Sequence, residues 1–129
     1  MFLSGINFAL HYRALRGKPQ SYFTDPEFRV FALLWLGAAL FMGVNTHGSH
    51  YETLGESMRA SFFLVTSIIT TTGYGTENFD LWPTASRVLY VLLMICGGCA
   101  GSTAGGMKIV RLFVVFKKTL REVRLFMQR

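Results

Sequence analysis

Apolar residues fall into three runs along the chain, and short polar segments separate them. The first run covers residues 28–46 and the third covers residues 87–118. Because a bilayer core of about 30 Å needs about 20 apolar helical residues, these two runs predict an outer and an inner transmembrane helix. The second run, residues 54–69, is shorter and carries Glu56 and Arg59 near its start, which indicates a re-entrant helix. The pattern predicts an all-α membrane protein.

Three further segments flank these runs. Residues 1–17 are mixed in character and too short to span, so they predict either an interfacial helix or the end of a helix that begins earlier. Residues 18–27 predict a polar linker that ends in Asp25 and Pro26. This pair favours a helix start, because proline at the first helical position gives up no needed hydrogen bond. Residues 119–129 predict a tail or a second linker.

The inner run is interrupted by ten small residues, 97–106, five of which are glycine. A glycine inside a helix costs about 1 kcal/mol relative to alanine. Backbone groups that leave a helix within a membrane are tolerated only where they are buried in protein or line a water-filled cavity. The pattern therefore predicts a broken inner helix whose loop lies in or beside a pore. The alternative is one continuous helix on which Gly97, Gly101 and Gly105 form a small-residue packing face.

Composition and charge support a membrane protein and orient it. The hydrophobic fraction is 51%, and the charged fraction of 16% lies below the roughly 25% of soluble domains. Residues 108–129 carry seven basic residues and one acidic residue, residues 11–29 are also basic in balance, and residues 47–86 are acidic. Under the positive-inside rule both ends, including the linkers at residues 18–27 and 119–129, are cytoplasmic in a multi-pass protein. The Leu, Val and Phe content of the basic tail argues against nucleic-acid binding.

The most informative segment follows the second apolar run directly. Glycine permits the strained dihedral angles with which a short strand aims successive carbonyl oxygens to one side. Rings of such oxygens replace the hydration shell of a potassium ion, and the C-terminal end of the preceding helix adds partial negative charge. Residues 70–76 therefore predict a potassium-selective filter, with the Thr72 hydroxyl at its inner end and Thr76 at its outer exit. Its expected ion-binding residues are Thr71, Thr72, Gly73 and Tyr74, followed by Gly75.

Other candidate groups indicate no covalent chemistry. Cys96 and Cys99 have a C-x-x-C spacing, but no second cysteine or histidine pair completes a zinc site, so they predict small buried residues at a helix contact. His47 and His50 suit a polar loop better than a metal pair. Since no nucleophile–base set appears, the chain is predicted to be neither an enzyme nor the carrier of a covalent cofactor. Potassium is expected only as the transported ligand.

Span, re-entrant helix, filter and second span together form one pore unit of the potassium-channel type. Thr72-Gly73-Tyr74-Gly75-Thr76, followed by the segment 97–108, resembles the Trk/Ktr/HKT superfamily of potassium transporters, most closely the bacterial Trk potassium-uptake subunit. That family carries four such units in one polypeptide, and the chain resembles the third, whose inner helix holds a gating loop. By the same resemblance, residues 1–17 are the end of the preceding unit's inner helix. Residues 28–118 are then one M1–pore helix–filter–M2 repeat.

The resemblance implies potassium transport through a pore of which this chain supplies one quarter. The partners it implies are three remaining pore units, a second transporter copy, a cytoplasmic nucleotide-binding regulatory subunit and the lipid of a bacterial inner membrane. Two alternatives stay open. In one, four copies of the chain assemble as a two-span potassium channel; in the other, the chain is a membrane interaction subunit that conducts nothing.

Charged residues near the two ends of the expected pore also leave alternatives open. Glu77 and Asp80 either raise the cation concentration at an outer entrance or are ordinary solvated loop charges. Lys108 either tunes the electric field at the loop or extends its ammonium group to the cytoplasmic interface. The residues expected to form the gating loop are Gly97, Gly98, Gly101, Ser102, Thr103, Gly105, Gly106 and Lys108.

Overall fold

The regular structure of the chain is helical, as the sequence predicts. The computed structural model describes residues 1–127, and within that range it contains no β-strand, only two isolated bridges, His47 to Tyr51 and Cys96 to Met107. The elements in chain order are a 3-10 turn (Phe2–Gly5), α1 (Phe8–Leu15), α2 (Ser21–Thr24), α3 (Pro26–Thr46), α4 (Leu54–Ile69), a second 3-10 turn (Phe79–Leu81), α5 (Thr84–Ile95) and α6 (Ile109–Met127).

Helix α3 begins at Pro26 because Asp25 caps it. The Asp25 carboxylate accepts hydrogen bonds from the backbone N–H groups of Glu27 at 2.9 Å and Phe28 at 3.1 Å. These bonds satisfy two donors that the first helical turn leaves unpaired. Among the helices of residues 1–127, α3 alone is long and apolar enough to cross a membrane by length and composition.

Helix α4 packs along α3 and forms the main core with it. Gly43 permits the close approach, since a Cβ atom there would lie 2.5 Å from the sulfur of Met58. Beside it, the Ser57 hydroxyl donates to the Gly43 carbonyl at 2.6 Å and lies 2.7 Å from the Thr46 hydroxyl. The buried hydroxyls of Ser57 and Thr46 are therefore satisfied. The apolar residues of this core are Ala38, Ala39, Met42, Ala60, Leu64, Val65, Trp82, Tyr90 and Leu93.

A second core lies at the C-terminal end of α4. It joins the N-terminal segment, the first part of α3, the end of α4 and the segment between α5 and α6. Its buried residues are Ile6, Leu10, Phe31, Ile69, Cys99 and Ile109. Because these residues are far apart in sequence, this core brings four distant parts of the chain to the point where α4 ends, and the candidate site lies there.

The N-terminal segment, residues 1–17, is not one continuous helix. A 3-10 turn comes first, the chain is extended at Ile6 and Asn7, and α1 occupies only Phe8–Leu15. Asn7 causes the break, because its side chain accepts a hydrogen bond from the N–H of Ala9 at 2.9 Å and so begins a new helix. Gly17, at φ +83°, ends that helix.

The inner helix is broken, and the alternative of one continuous helix with a glycine packing face is wrong. Helix α5 ends at Ile95 and α6 begins at Ile109, two residues after the resumption expected at Met107. The helix also starts earlier than expected, at Thr84. Residues 119–127, expected as a tail or linker, continue α6, and residues 128–129 lie outside the described residues.

Candidate functional site

The chain leaves α4 through a helix-ending turn at Thr71. The backbone N–H of Thr72 donates to the Ser67 carbonyl at 2.8 Å, and that of Thr71 donates to the Ile68 carbonyl at 2.9 Å. This pair of bonds is a Schellman motif, which requires a left-handed residue, and Thr71 supplies it at φ +54°. A left-handed conformation is a genuine outlier for a β-branched residue. The turn therefore stores backbone strain at the first of the expected filter residues.

Residues 72–75 run without regular secondary structure after this turn. Gly73 adopts φ +77°, a conformation that favours glycine. Within residues 1–127, no donor forms a hydrogen bond with the carbonyl oxygens of residues 71–75. Helical or sheet hydrogen bonds at these oxygens would have excluded ion binding, and the described residues provide none.

The expected filter residues are also largely exposed within this chain. Thr71, Gly73 and Gly75 are exposed, Thr72 is half-buried, and 70% of Tyr74 is accessible. Thr70, directly before them, is buried with 5% of its surface accessible. The segment is thus anchored at Thr70 and presents an uncovered backbone beyond it.

The hydroxyls of the three threonines that follow α4 have different partners. The Thr72 hydroxyl lies 2.7 Å from that of Thr70, which in turn donates to the Thr66 carbonyl at 2.7 Å. The hydroxyl of Thr71 instead accepts a hydrogen bond from the N–H of Gly105 at 2.7 Å. The hydroxyl that meets the broken segment is therefore that of Thr71, because the left-handed turn rotates this residue away from the helix.

The segment between α5 and α6, residues 96–108, depends on its glycines. A Cβ atom at Gly97 would overlap the carbonyl oxygen of Gly105, and one at Gly98 would lie 2.7 Å from that of Gly5. Gly101 and Gly106 have φ values of +76° and +72°. Two of these glycines are thus required by close backbone approach and two by left-handed geometry.

Two backbone hydrogen bonds close this segment at its base. The N–H of Gly97 donates to the Met107 carbonyl at 2.8 Å, and the N–H of Met107 donates to the Ile95 carbonyl at 3.2 Å. The chain therefore returns to the level at which α5 ended before α6 begins.

The N-terminal segment holds the other side of residues 96–108. The N–H of Cys99 donates to the Gly5 carbonyl at 2.9 Å, and the N–H of Phe8 donates to the Gly101 carbonyl at 3.2 Å. The Thr103 hydroxyl donates to the carbonyl of Ser4 at 3.2 Å. Sequence reasoning missed this contact, because main-chain hydrogen bonds leave no trace in residue type.

Lys108 turns back into the segment, in place of the extension to the cytoplasmic interface that was one alternative. Its ammonium group donates to the Ser102 carbonyl at 3.3 Å, and it also donates to the Ala104 carbonyl. The Ser102 hydroxyl lies 3.4 Å away. Glu27, from the first turn of α3, accepts a hydrogen bond from the N–H of Ala100. The segment is therefore held by a cation within it and by an anion from a neighbouring helix.

The two acidic residues beyond the expected filter have different environments. Asp80 lies 4.0 Å from the Arg87 guanidinium, and both side chains are about half exposed or more, so the pair contributes little stability. Glu77 lines a cavity of about 400 Å³ together with Thr76 and Tyr51. Burial raises the pKa of the Tyr51 hydroxyl above its usual value, and the negative charge of Glu77 raises it further. Glu77, rather than Asp80, therefore shares a cavity with Thr76, the last residue of the expected filter.

The cysteines lie in the broken segment, not at a helix contact as the sequence suggested. Cys99 is fully buried, Cys96 is half-buried, and neither forms a disulfide. Among residues 1–127, no group of three histidine, cysteine, aspartate or glutamate residues is placed to hold a metal ion.

Comparisons with known proteins identify relatives of the whole arrangement. The family model TrkH, described as cation transport protein, matches residues 1–125. The Trk system potassium uptake protein TrkH of Halomonas elongata is 38% identical over 95% of this chain, and its Escherichia coli K12 counterpart is 35% identical over 96%. The crystal structure of the potassium transporter TrkH from Vibrio parahaemolyticus superimposes with a TM-score of 0.90 at 33% identity and covers 98% of this chain.

These matches cover nearly all of the chain but only part of each relative. The chain spans 26% of the length of the Halomonas and Escherichia proteins and 28% of the Vibrio chain. The relatives are potassium uptake or transport proteins, which confirms the resemblance to the Trk family and the expectation that the chain is not an enzyme. The chain therefore belongs to the TrkH family of cation transport proteins.

Proposed function

We propose that this chain forms one quarter of a potassium-selective pore through which the ion passes passively. The observation that carries the proposal is the row of carbonyl oxygens at residues 71–75, which have no hydrogen-bond partner among residues 1–127. Unpaired backbone oxygens are costly unless water or an ion satisfies them. Successive oxygens of this kind provide several adjacent sites, so ions bind well enough to lose water and leave by mutual repulsion.

The exposure of the filter segment supports a ring made from several units. A single strand surrounds an ion on one side only, and Tyr74 with 70% of its surface accessible has little to pack against within this chain. Three further units around a common axis would supply the remaining oxygens and cover the aromatic ring of Tyr74. An assembly of four copies of this chain is not favoured, because the relatives match it over about a quarter of their length.

We assign residues 97–106 as the gate below this filter. The hydrogen bond from Gly105 to Thr71 supports the assignment, because it joins the segment to the first of residues 71–75. The segment carries little helical or sheet structure of its own and is held mainly by individual hydrogen bonds, so it can rearrange without breaking a helix. Displacement of this segment would open the inner pathway.

The surroundings of the pore follow from the charge pattern and the family. The basic balance of residues 108–129 favours cytoplasmic ends, and a bacterial inner membrane is the expected location. The proposed partners are the other three pore units, a second transporter copy and a cytoplasmic nucleotide-binding regulatory subunit. No nucleic acid is expected to bind.

Rubidium uptake by the full-length protein carrying Gly73→Ser tests the filter assignment. A left-handed serine costs about 1–2 kcal/mol and shifts the adjacent carbonyls, so rubidium-over-sodium selectivity should fall about tenfold or more. Gly48→Ser is the matched control, since Gly48 has φ +79° and open space around it but lies in the loop after α3. Unchanged selectivity in Gly73→Ser, or an equal loss in both variants, would contradict the proposal.

A further inference from the structure

We infer that the peptide group between Ala104 and Gly105 links the Lys108 ammonium to the Thr71 hydroxyl, so that Lys108 positions the innermost filter residue. The inference rests on the proposed function, because it gives one residue of the gate a role in the filter. It is based on one amide group that forms hydrogen bonds to two side chains, one at its carbonyl and one at its N–H.

The two ends of this amide make opposite contacts. Its carbonyl, from Ala104, accepts a hydrogen bond from the Lys108 ammonium. Its N–H, from Gly105, donates to the Thr71 hydroxyl at 2.7 Å. The connection therefore runs through one rigid planar group, from a charged side chain on one side to the filter segment on the other.

The electrostatics of this arrangement favour transmission. A positive charge at an amide oxygen draws electrons from the amide and makes its N–H a stronger donor, so bonds in such a chain reinforce each other. Lys108 is half-buried, which limits screening by water. Removal of the ammonium group should therefore weaken the bond to Thr71 as well as loosen the segment.

Thr71 is the residue most sensitive to such a loss. Its φ of +54° is strained for a β-branched side chain, and a strained conformation persists only where its surroundings impose it. The Schellman hydrogen bonds impose it from the helix side, and Gly105 imposes it from the side of the gate. When the gate moves away, the second restraint is lost, and the Thr71 carbonyl is then held only through the hydrogen bond from the Thr72 N–H to Ser67. Opening of the gate and the geometry of the inner ion site are then coupled.

Hydrogen exchange and ion selectivity in the full-length protein test the inference together. Lys108→Met and Thr71→Val each remove one end of the connection, whereas Lys108→Arg and Thr71→Ser keep a donor and a hydroxyl. We expect both removals to speed exchange of the Gly105 amide and to lower rubidium-over-sodium selectivity. The double variant should exchange no faster, and be no less selective, than the more severe single variant. Its effect should therefore be smaller than the product of the two single effects by about twofold to 100-fold, the range for residues in one hydrogen-bond network.

Lys117→Met is the matched control, because Lys117 is an exposed lysine of α6 that makes no side-chain hydrogen bond within residues 1–127. Additive effects of the two removals, or Gly105 exchange that Lys108→Met leaves unchanged, would overturn the inference.

A loss of selectivity in Gly73→Ser but not in Lys108→Met would refute the inference and leave the proposed function intact. Faster exchange in Lys108→Met, with selectivity unchanged in Gly73→Ser, would instead refute the filter assignment. Thr71→Ser and Lys108→Arg keep the hydroxyl and the donor, so both should retain near-normal exchange of the Gly105 amide. Fast exchange in these two variants as well would show that substitution at these positions disturbs the fold.

Discussion

The N–H of Ala100 donates a hydrogen bond to the Glu27 carboxylate, which ties the broken segment of the inner helix to the first turn of α3. The two residues are 73 positions apart in sequence. Glu27 is half-buried and lies in the first turn of α3, two residues after Asp25, which caps the same helix. The start of the outer helix therefore also supports the proposed gate.

Replacement of Glu27 by alanine should loosen that gate. Hydrogen bonds to charged groups contribute about 1.5–3 kcal/mol, so Glu27→Ala should lower the free energy of unfolding by about that amount and raise basal rubidium flux. Glu27→Gln keeps an acceptor and should lose about half as much. Glu122→Ala, at an exposed site on α6, is the control. Equal unfolding midpoints for the alanine variants at positions 27 and 122 would show that the bond carries no stability.

A methyl group at Gly97 should disrupt the broken segment. Its Cβ atom would overlap the backbone oxygen of Gly105, so the backbone itself would have to shift. We expect Gly97→Ala to cost about 3 kcal/mol or more, in the range of severe steric substitutions. Gly37→Ala adds the same methyl group within α3, where nothing lies within 4 Å, and should stabilise that helix by up to about 1 kcal/mol. Thermal unfolding in detergent measures both, and similar shifts in the two variants would contradict the steric argument.

The indole of Trp35 fixes α3 to the end of α4. Its N–H donates to the Thr66 hydroxyl at 2.8 Å, and that hydroxyl donates to the Phe62 carbonyl at 2.6 Å. Trp35→Phe removes the donor but keeps an aromatic ring, so a loss of about 1 kcal/mol is expected. Thr66→Val should lose a similar amount, and the double variant should cost less than the sum of the two. Strict additivity in thermal unfolding would argue against a direct interaction.

The cap of α3 gives a fourth prediction. Asp25→Ala leaves the N–H groups of Glu27 and Phe28 without their partner and should cost about 1 kcal/mol. Asp25→Ser should restore most of the stability, because a hydroxyl oxygen can also accept from the first turn. Circular dichroism during thermal unfolding checks both variants. A serine variant no more stable than the alanine variant would mean that the carboxylate acts through charge alone.

The parts of the fold that the sequence predicts are those marked by a local signal. The pair Asp25 and Pro26 marks the start of α3, and Gly17 ends α1. The glycine content of residues 97–106 predicts the break in the inner helix, since so many glycines disfavour a helix. In each case a single residue type has a strong conformational preference of its own.

The parts that the sequence does not predict depend on backbone contacts between distant segments. The bonds from Cys99 to Gly5 and from Phe8 to Gly101 use groups that nearly every residue carries. Thr71 is a second example, because residue preferences place the left-handed position at Gly73 and not at a β-branched residue. Both sites have left-handed geometry in the structure. The contact of the Thr71 hydroxyl with the N–H of Gly105 follows from this left-handed geometry.

The paired backbone hydrogen bonds among Ile95, Gly97 and Met107 affect how fast the segment between α5 and α6 can change shape. They join the end of α5 to the approach to α6, so the residues between them form a ring whose base is already closed. A change of shape within this ring requires no rotation or sliding of either helix. Loop motions take nanoseconds to microseconds, whereas collective helix motions take about microseconds to milliseconds. The proposed barrier, built in this way, can respond faster than one that must wait for the rearrangement of an entire bundle.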